Sequence, residues 1–231
     1  AVMMLLFIWI EKRAEEPILP LSIFKMRVLN VANISGFFAF SVTTGSSIYT
    51  PIWIQSVLGK SATISGLTIL PVSLAWPLAS VIVGRIMYRA GIKASIVFGS
   101  VVVLAAGIWR AAMAVDSPYW HWIGIMIVFG AGMGFLVTPF NVVIQSMVGW
   151  EMRGTANAVN VLMRSLGQSI GVAVFGTVFN QFISADPAAP VELASGVHAV
   201  FLALVVISAA NLLTCLFLQS HSKVMAQQKS H

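Results

Sequence analysis

Charge is scarce in this sequence. Asp, Glu, Lys and Arg make up only 9% of its 231 residues. A water-soluble domain carries about 25% charged residues, so a soluble globular fold is excluded. Cysteine occurs once, at Cys215, which excludes an intramolecular disulfide and a Cys-rich metal site. The four histidines (His121, His198, His221 and His231) stand far apart at the edges of apolar stretches and in the tail. No metal centre is therefore expected. A phosphate-binding glycine-lysine loop is missing too, so neither ATP nor any other cofactor is anticipated. At membrane depth there are no paired carboxylates, no buried His and no Ser–His pairing, which argues against an enzyme.

What the sequence has in quantity is long apolar runs. They lie at roughly 31–57, 64–84, 94–114, 120–148, 156–183 and 197–219, with a stub at 1–10. Each full run has about 20 residues or more, enough for a helix to cross a hydrocarbon core of about 30 Å. Only Arg110 and Arg164 place a charge inside a run. If each run crosses once, one side receives Lys12, Arg13, Lys25, Arg27, Arg85, Arg89, Lys93, Arg153, Lys223 and Lys229, and the other only Lys60. This asymmetry predicts that the basic side, including the C-terminus, is cytoplasmic. The same bias accounts for the net charge of +6, so no nucleic-acid partner is expected. The reading gives an all-α polytopic membrane protein in the lipid bilayer of the cell membrane. Its segments are the end of a truncated transmembrane helix (1–10), a cytoplasmic connection (11–28), a six-helix bundle (29–220) and a cytoplasmic tail (221–231).

A weak internal repeat links the first and fourth runs. One ends TPIWIQSVLG from Thr50, the other TPFNVVIQSMVG from Thr138. The fourth run lies three crossings later and so points the opposite way. Three-plus-three inverted repeats of this kind occur within the six-helix halves of secondary transporters.

Polar residues inside the runs mark candidate sites. In the fifth run Asn157, Asn160, Arg164, Gly167, Gln168 and Gly171 fall within an arc of about 100°. Arg164 lies about 16 Å from the start of that run, near mid-membrane. A lone Arg facing lipid there costs at least about 2.5 kcal/mol, so it must face protein or a water-filled cavity. It reads either as a substrate-path residue or as a structural Arg bonded to neighbouring spans. In the fourth run Gly130, Gly134, Thr138, Asn141 and Gln145 share an arc. Gly130 and Gly134 suit close helix contact, as do Gly167 and Gly171, and Asn141 and Gln145 are placed to bond Arg164. The first run brings Asn33, Thr43, Thr44, Ser47, Pro51 and Gln55 near one face, although Ser and Thr often bond their own helix backbone. All acidic residues lie in loops or at run ends. A proton site, which needs a buried titratable group, would therefore lie outside this chain.

Three stretches carry a family resemblance. EKRAEEPILPLSIF, from Glu11 to Phe24, resembles the connection entering the second bundle of the fourteen-helix drug:proton antiporters of the major facilitator superfamily. RGTAN from Arg153, with RSLGQSIG from Arg164, resembles that family's penultimate loop and helix. GRIMYRAGIK is similar to the superfamily's G-x-x-x-D-R-x-G-x-K gate signature at Gly84, Arg89, Gly91 and Lys93, with Tyr88 in place of the acidic residue. The resemblance implies the C-terminal six-helix bundle of a proton-coupled multidrug efflux antiporter, plus the end of a preceding linker helix. Its partners would be a missing N-terminal bundle, a small-molecule substrate such as a lipophilic drug, and protons bound elsewhere. An uptake carrier or metabolite exporter shares this architecture. A non-transporting scaffold or assembly subunit is the alternative of another class.

Overall fold

In hydrocarbon, a backbone segment can satisfy its N–H and C=O groups internally only by coiling into a helix or closing into a barrel. The apolar runs take the first course. The structure, a computed structural model, describes residues 26–182 and 190–218. The stub at 1–10, nearly all of the connection at 11–28 and the tail at 221–231 lie outside the described residues. Among the described residues seven α-helices follow one another: α1 (Arg27–Ser56), α2 (Ala62–Leu67), α3 (Leu70–Ala90), α4 (Ile92–Ala111), α5 (Tyr119–Ser146), α6 (Arg153–Asn180) and α7 (Pro190–Leu216). A 3₁₀ turn, Trp150–Met152, leads into α6. Counting α2 and α3 as one broken span, six helices among the described residues are long and apolar enough to cross a membrane.

The break between α2 and α3 departs from the single helix expected over 64–84. Pro71, at the start of α3, has no N–H to give to a preceding turn and its ring crowds the carbonyl four residues back. Ser61 caps α2 by accepting from the Ile64 N–H. Thr68 holds the joint in place, with its hydroxyl donating to the Ile64 carbonyl and lying 3.0 Å from the Tyr119 hydroxyl. Gly91 alone separates α3 from α4, with φ +93° and ψ 138°. A side chain there would be strained, so the turn requires glycine.

The helices pack in a pattern that survives exchange of the first three spans with the last three. Span α3 packs chiefly on α5, and α6 correspondingly on α1. Helix α4 packs on α5, and α7 on α1, while α4 and α7 pack on each other. This is the inverted three-plus-three arrangement that the internal repeat predicts. Two ties hold α4 to α7 at their ends: Lys93 Nζ donates to the Leu216 carbonyl (3.1 Å), and His198 Nε2 bonds the Ala111 carbonyl (2.8 Å). Between α1 and α7, the Ser35 hydroxyl donates to Asn211 Oδ1 at 2.7 Å. The core is aromatic at one end, where Trp53, Trp122 and Phe201 from three helices meet with ring centroids 5.6–5.8 Å apart.

Candidate functional site

Small residues bring α6 against α1. A Cβ at Gly167 would overlap the Phe37 carbonyl oxygen, and one at Gly171 would overlap the Ser41 side chain. Within this seam Asn160 is 1% exposed. Its Nδ2 donates to Asn33 Oδ1 at 3.0 Å and lies 3.5 Å from the Ala32 carbonyl. Gly130 and Gly134 make the corresponding seam between α5 and α3, closing on Val72, the Trp76 carbonyl and Ala79. Thr138 donates to Ser80 across it at 2.9 Å.

Arg164 stands where these seams adjoin, half-buried. Its Nη2 donates to Asn141 Oδ1 of α5 at 2.5 Å, and its guanidinium carbon lies 4.9 Å from the ring centre of Phe40. Phe40 in turn meets Trp76 edge-on at 6.2 Å. The guanidinium thus joins α6, α1 and α5 through one charge-assisted hydrogen bond and one cation–π contact. Its Nε is buried without a partner. Beside it a pocket lined by Ser35, Gly36, Phe40, Leu136, Val137 and Phe140 has a volume of only about 10 Å³. That is room for one water molecule at most, so the inner side of Arg164 is closed in this conformation.

The other polar candidates divide into two sets. Gln168 is half-buried one turn beyond Arg164, whereas Asn157, Gln145 and Ser47 are exposed on this bundle. Of the two expected partners of Arg164, Asn141 makes the bond. Gln145, one turn away and exposed, is not its partner. On α1 the Thr43 and Thr44 hydroxyls donate to the Ala39 and Phe40 carbonyls of their own helix (2.8 and 3.0 Å). Gln55 donates to the Ser65 hydroxyl at 3.3 Å and so ties α1 to α2. In the loop with the gate-like signature, Arg89 is exposed, Gly91 forms the turn and Lys93 reaches α7. A Cβ at Gly84 would meet nothing. Among the described residues no group of His, Cys, Asp and Glu is placed to hold a metal ion.

Two features escaped the sequence reading. Phe40 lies beneath Arg164, and the signal for it was present: a ring four residues beyond Gly36, against which the Arg164 stem packs. Arg110 was visible as a charge inside a run, yet its burial among aromatic rings was not.

Comparison with known proteins agrees with this architecture. The family model of the Major Facilitator Superfamily matches residues 1–172. The multidrug transporter protein MdtP of Bacillus subtilis is 29% identical over 174 residues, covering 75% of this chain and 32% of that protein. Multidrug resistance protein 3 of the same organism is 30% identical over 179 residues, covering 77% and 35%. The multidrug resistance protein Stp of Mycobacterium tuberculosis is 28% identical over 208 residues, covering 89% and 38%. The chain spans about a third of the length of the curated relatives it matches. With its six apolar spans, its inverted packing and a family match over most of its length, this multi-pass membrane chain belongs to the Major Facilitator Superfamily.

Proposed function

We propose that the chain forms the C-terminal half of a secondary active transporter, a proton-coupled multidrug efflux antiporter of the fourteen-helix type. The observation that carries this reading is Arg164, a permanent cation near mid-span with Asn141 and Phe40 on one side. Gln168 beside it is half-buried, and this bundle leaves Asn157, Gln145 and Ser47 uncovered. A second bundle would face these groups and complete a substrate path at mid-membrane. Arg164 would hold an anionic group of the substrate, or pair with a carboxylate of the second bundle in one access state. The named relatives that are multidrug proteins support drug efflux. The protonatable carboxylate would belong to the second bundle, since Asp116, Glu151 and Glu192 sit at helix ends or in loops. The basic end would be cytoplasmic, with the Gly84–Lys93 loop helping to close it.

Arg164→Ala in the complete protein tests the proposal. Drug efflux should vanish while the amount in the membrane stays near normal. Loss of the protein from the membrane, with full activity per molecule remaining, would assign Arg164 a structural role instead.

A further inference from the structure

Of the two arginines inside spans, Arg164 belongs to the site above. Arg110 is 1% exposed and closed in by the rings of Phe129 and Phe201, which lie 5.5 and 5.9 Å from its guanidinium carbon. Lys93 is placed differently. It stands in the first turn of α4, at the basic end of the bundle. There it lines a cavity of about 440 Å³ together with Gly91, Ala94, Val97 and Leu216. Ligand pockets typically have volumes of about 300–1,000 Å³. The Lys93 side chain is half-buried, with an apolar stem and a head that seeks water. Its ammonium has three N–H donors, and one of them goes to the Leu216 carbonyl at 3.1 Å. The described carboxylates are Asp116, Glu151 and Glu192, and none of them pairs with Lys93. A second cation, Arg89, is exposed in the last turn of α3, beside Ala90 of the cavity wall.

The surface that continues from this cavity decides what fills it. Along α4 the exposed positions are Ala94, Phe98, Val101, Ala105 and Ile108, one apolar stripe at helical spacing. On α7, which packs against α4, Leu213, Leu216 and Phe217 are 59%, 50% and 64% exposed. Helix α6, by contrast, exposes Asn157, Ser165 and Ser169. The α6 side therefore suits the polar path of a second bundle. The α4–α7 face suits hydrocarbon, which is as apolar as the side chains it meets. The cavity thus lies where a lipid-covered face reaches water, with an ammonium on its wall. A membrane lipid answers both parts at once, its chains covering Phe98 and Leu213 while its phosphate meets Lys93. Free phosphate answers only the ammonium and leaves Ala94, Val97 and Leu216 uncovered.

We propose that this cavity holds the headgroup of an anionic phospholipid, with its phosphate on Lys93 and its chains along the α4–α7 face. Basic pockets between spans at the membrane surface have the chemistry that anionic headgroups fill. The inference needs only that the chain crosses a membrane, so it does not depend on the transport reading. The test uses the complete protein, stripped of lipid in detergent and titrated with phosphatidylglycerol or with phosphatidylcholine of identical chains. Bound lipid is counted by native mass spectrometry. The first phosphatidylglycerol should bind about fivefold more tightly than phosphatidylcholine, the effect of one cation on an anionic headgroup. Lys93→Ala should erase that preference. Lys93→Arg should keep it, as should Arg153→Ala, which removes a cation at the same end but on α6. Equal affinity of the unaltered protein for the two lipids would overturn the proposal, as would an undiminished preference in Lys93→Ala. Displacement of the bound phosphatidylglycerol by an equal concentration of inorganic phosphate would also overturn it, assigning the cavity to a soluble anion. If Lys93→Ala fails to fold, Ala94→Trp decides instead. It keeps the ammonium and fills an exposed position of the cavity wall, so phosphatidylglycerol binding should weaken, and unchanged binding would sink the idea.

Discussion

The seam between α1 and α6 makes a quantitative prediction through Gly167→Ala. The added methyl would overlap the Phe37 carbonyl oxygen and lie 2.8 Å from the Phe37 carbonyl carbon and Cα. Carbon–oxygen contacts normally stay at about 3.3 Å or more, so the two backbones must separate by about 1 Å. Backbone cannot rotate away as a side-chain tip can, and overpacking of this kind costs about 1–3 kcal/mol. Separation also stretches the Asn160–Asn33 hydrogen bond, which lies two turns away in the same seam at 3.0 Å. Loss of such a bond between membrane helices adds about 0.6 kcal/mol. The total of roughly 2–4 kcal/mol corresponds to a fall in Tm of about 4–12 °C for a chain of this size. Cys215 supplies the assay. It is the single cysteine and is fully buried, so a thiol-reactive dye reports unfolding. Gly176→Ala is the control, because a Cβ there meets nothing within 4 Å. Its Tm should hold steady or rise, since alanine favours a helix over glycine by up to about 1 kcal/mol. The reasoning fails if Gly167→Ala melts within a degree of the parent, or if both variants fall equally.

Two further outcomes follow from the same geometry. Asn33→Leu or Asn160→Leu alone strands a buried amide and should cost about 1–3 kcal/mol; the double variant should recover part of that loss, and additive losses in thermal melts would refute the pairing. Gly91→Ala meets no steric neighbour but forces alanine to φ +93°, so it should lower Tm at a cost of about 1–3 kcal/mol, while Gly84→Ala, with no such φ, should not.

The six spans were legible because hydrocarbon demands long uncharged runs, and charge appears where those runs end. The joint at Thr68–Ile69 was harder to see. Pro71 stands near the start of an unbroken apolar stretch, and proline is tolerated in the first helical turn as well as at a break. The Arg164–Asn141 bond could be anticipated, since a charge at mid-span must be answered by polar groups on a neighbouring helix. Which neighbour packs where was less legible. In a soluble protein the apolar stripe identifies the buried face, but lipid is as apolar as leucine. Hydrophobicity therefore does not separate the packed side of α3 from its open side, where Leu74 and Leu78 are 69% and 65% exposed. Glycine spacing was the better guide, because Gly130 with Gly134 and Gly167 with Gly171 mark the two seams. For Thr43 and Thr44 the sequence showed a polar face, but the hydroxyls are spent on the helix that carries them. Arg110 was ambiguous because a cation near a run end ordinarily extends to the membrane surface, and here aromatic rings enclose it instead.

The two glycine seams also determine how the bundle can deform. Backbone pressed on backbone leaves no side-chain slack to absorb sliding, so α1 with α6, and α3 with α5, each behave as one stiff plank. Arg164 belongs to one plank and Asn141 to the other, and their hydrogen bond crosses the gap between them. When the planks shift against each other, that bond lengthens before either seam yields. The Arg164–Asn141 distance is thus a built-in gauge of the bundle's internal motion, and labels placed on these two helices would read it directly.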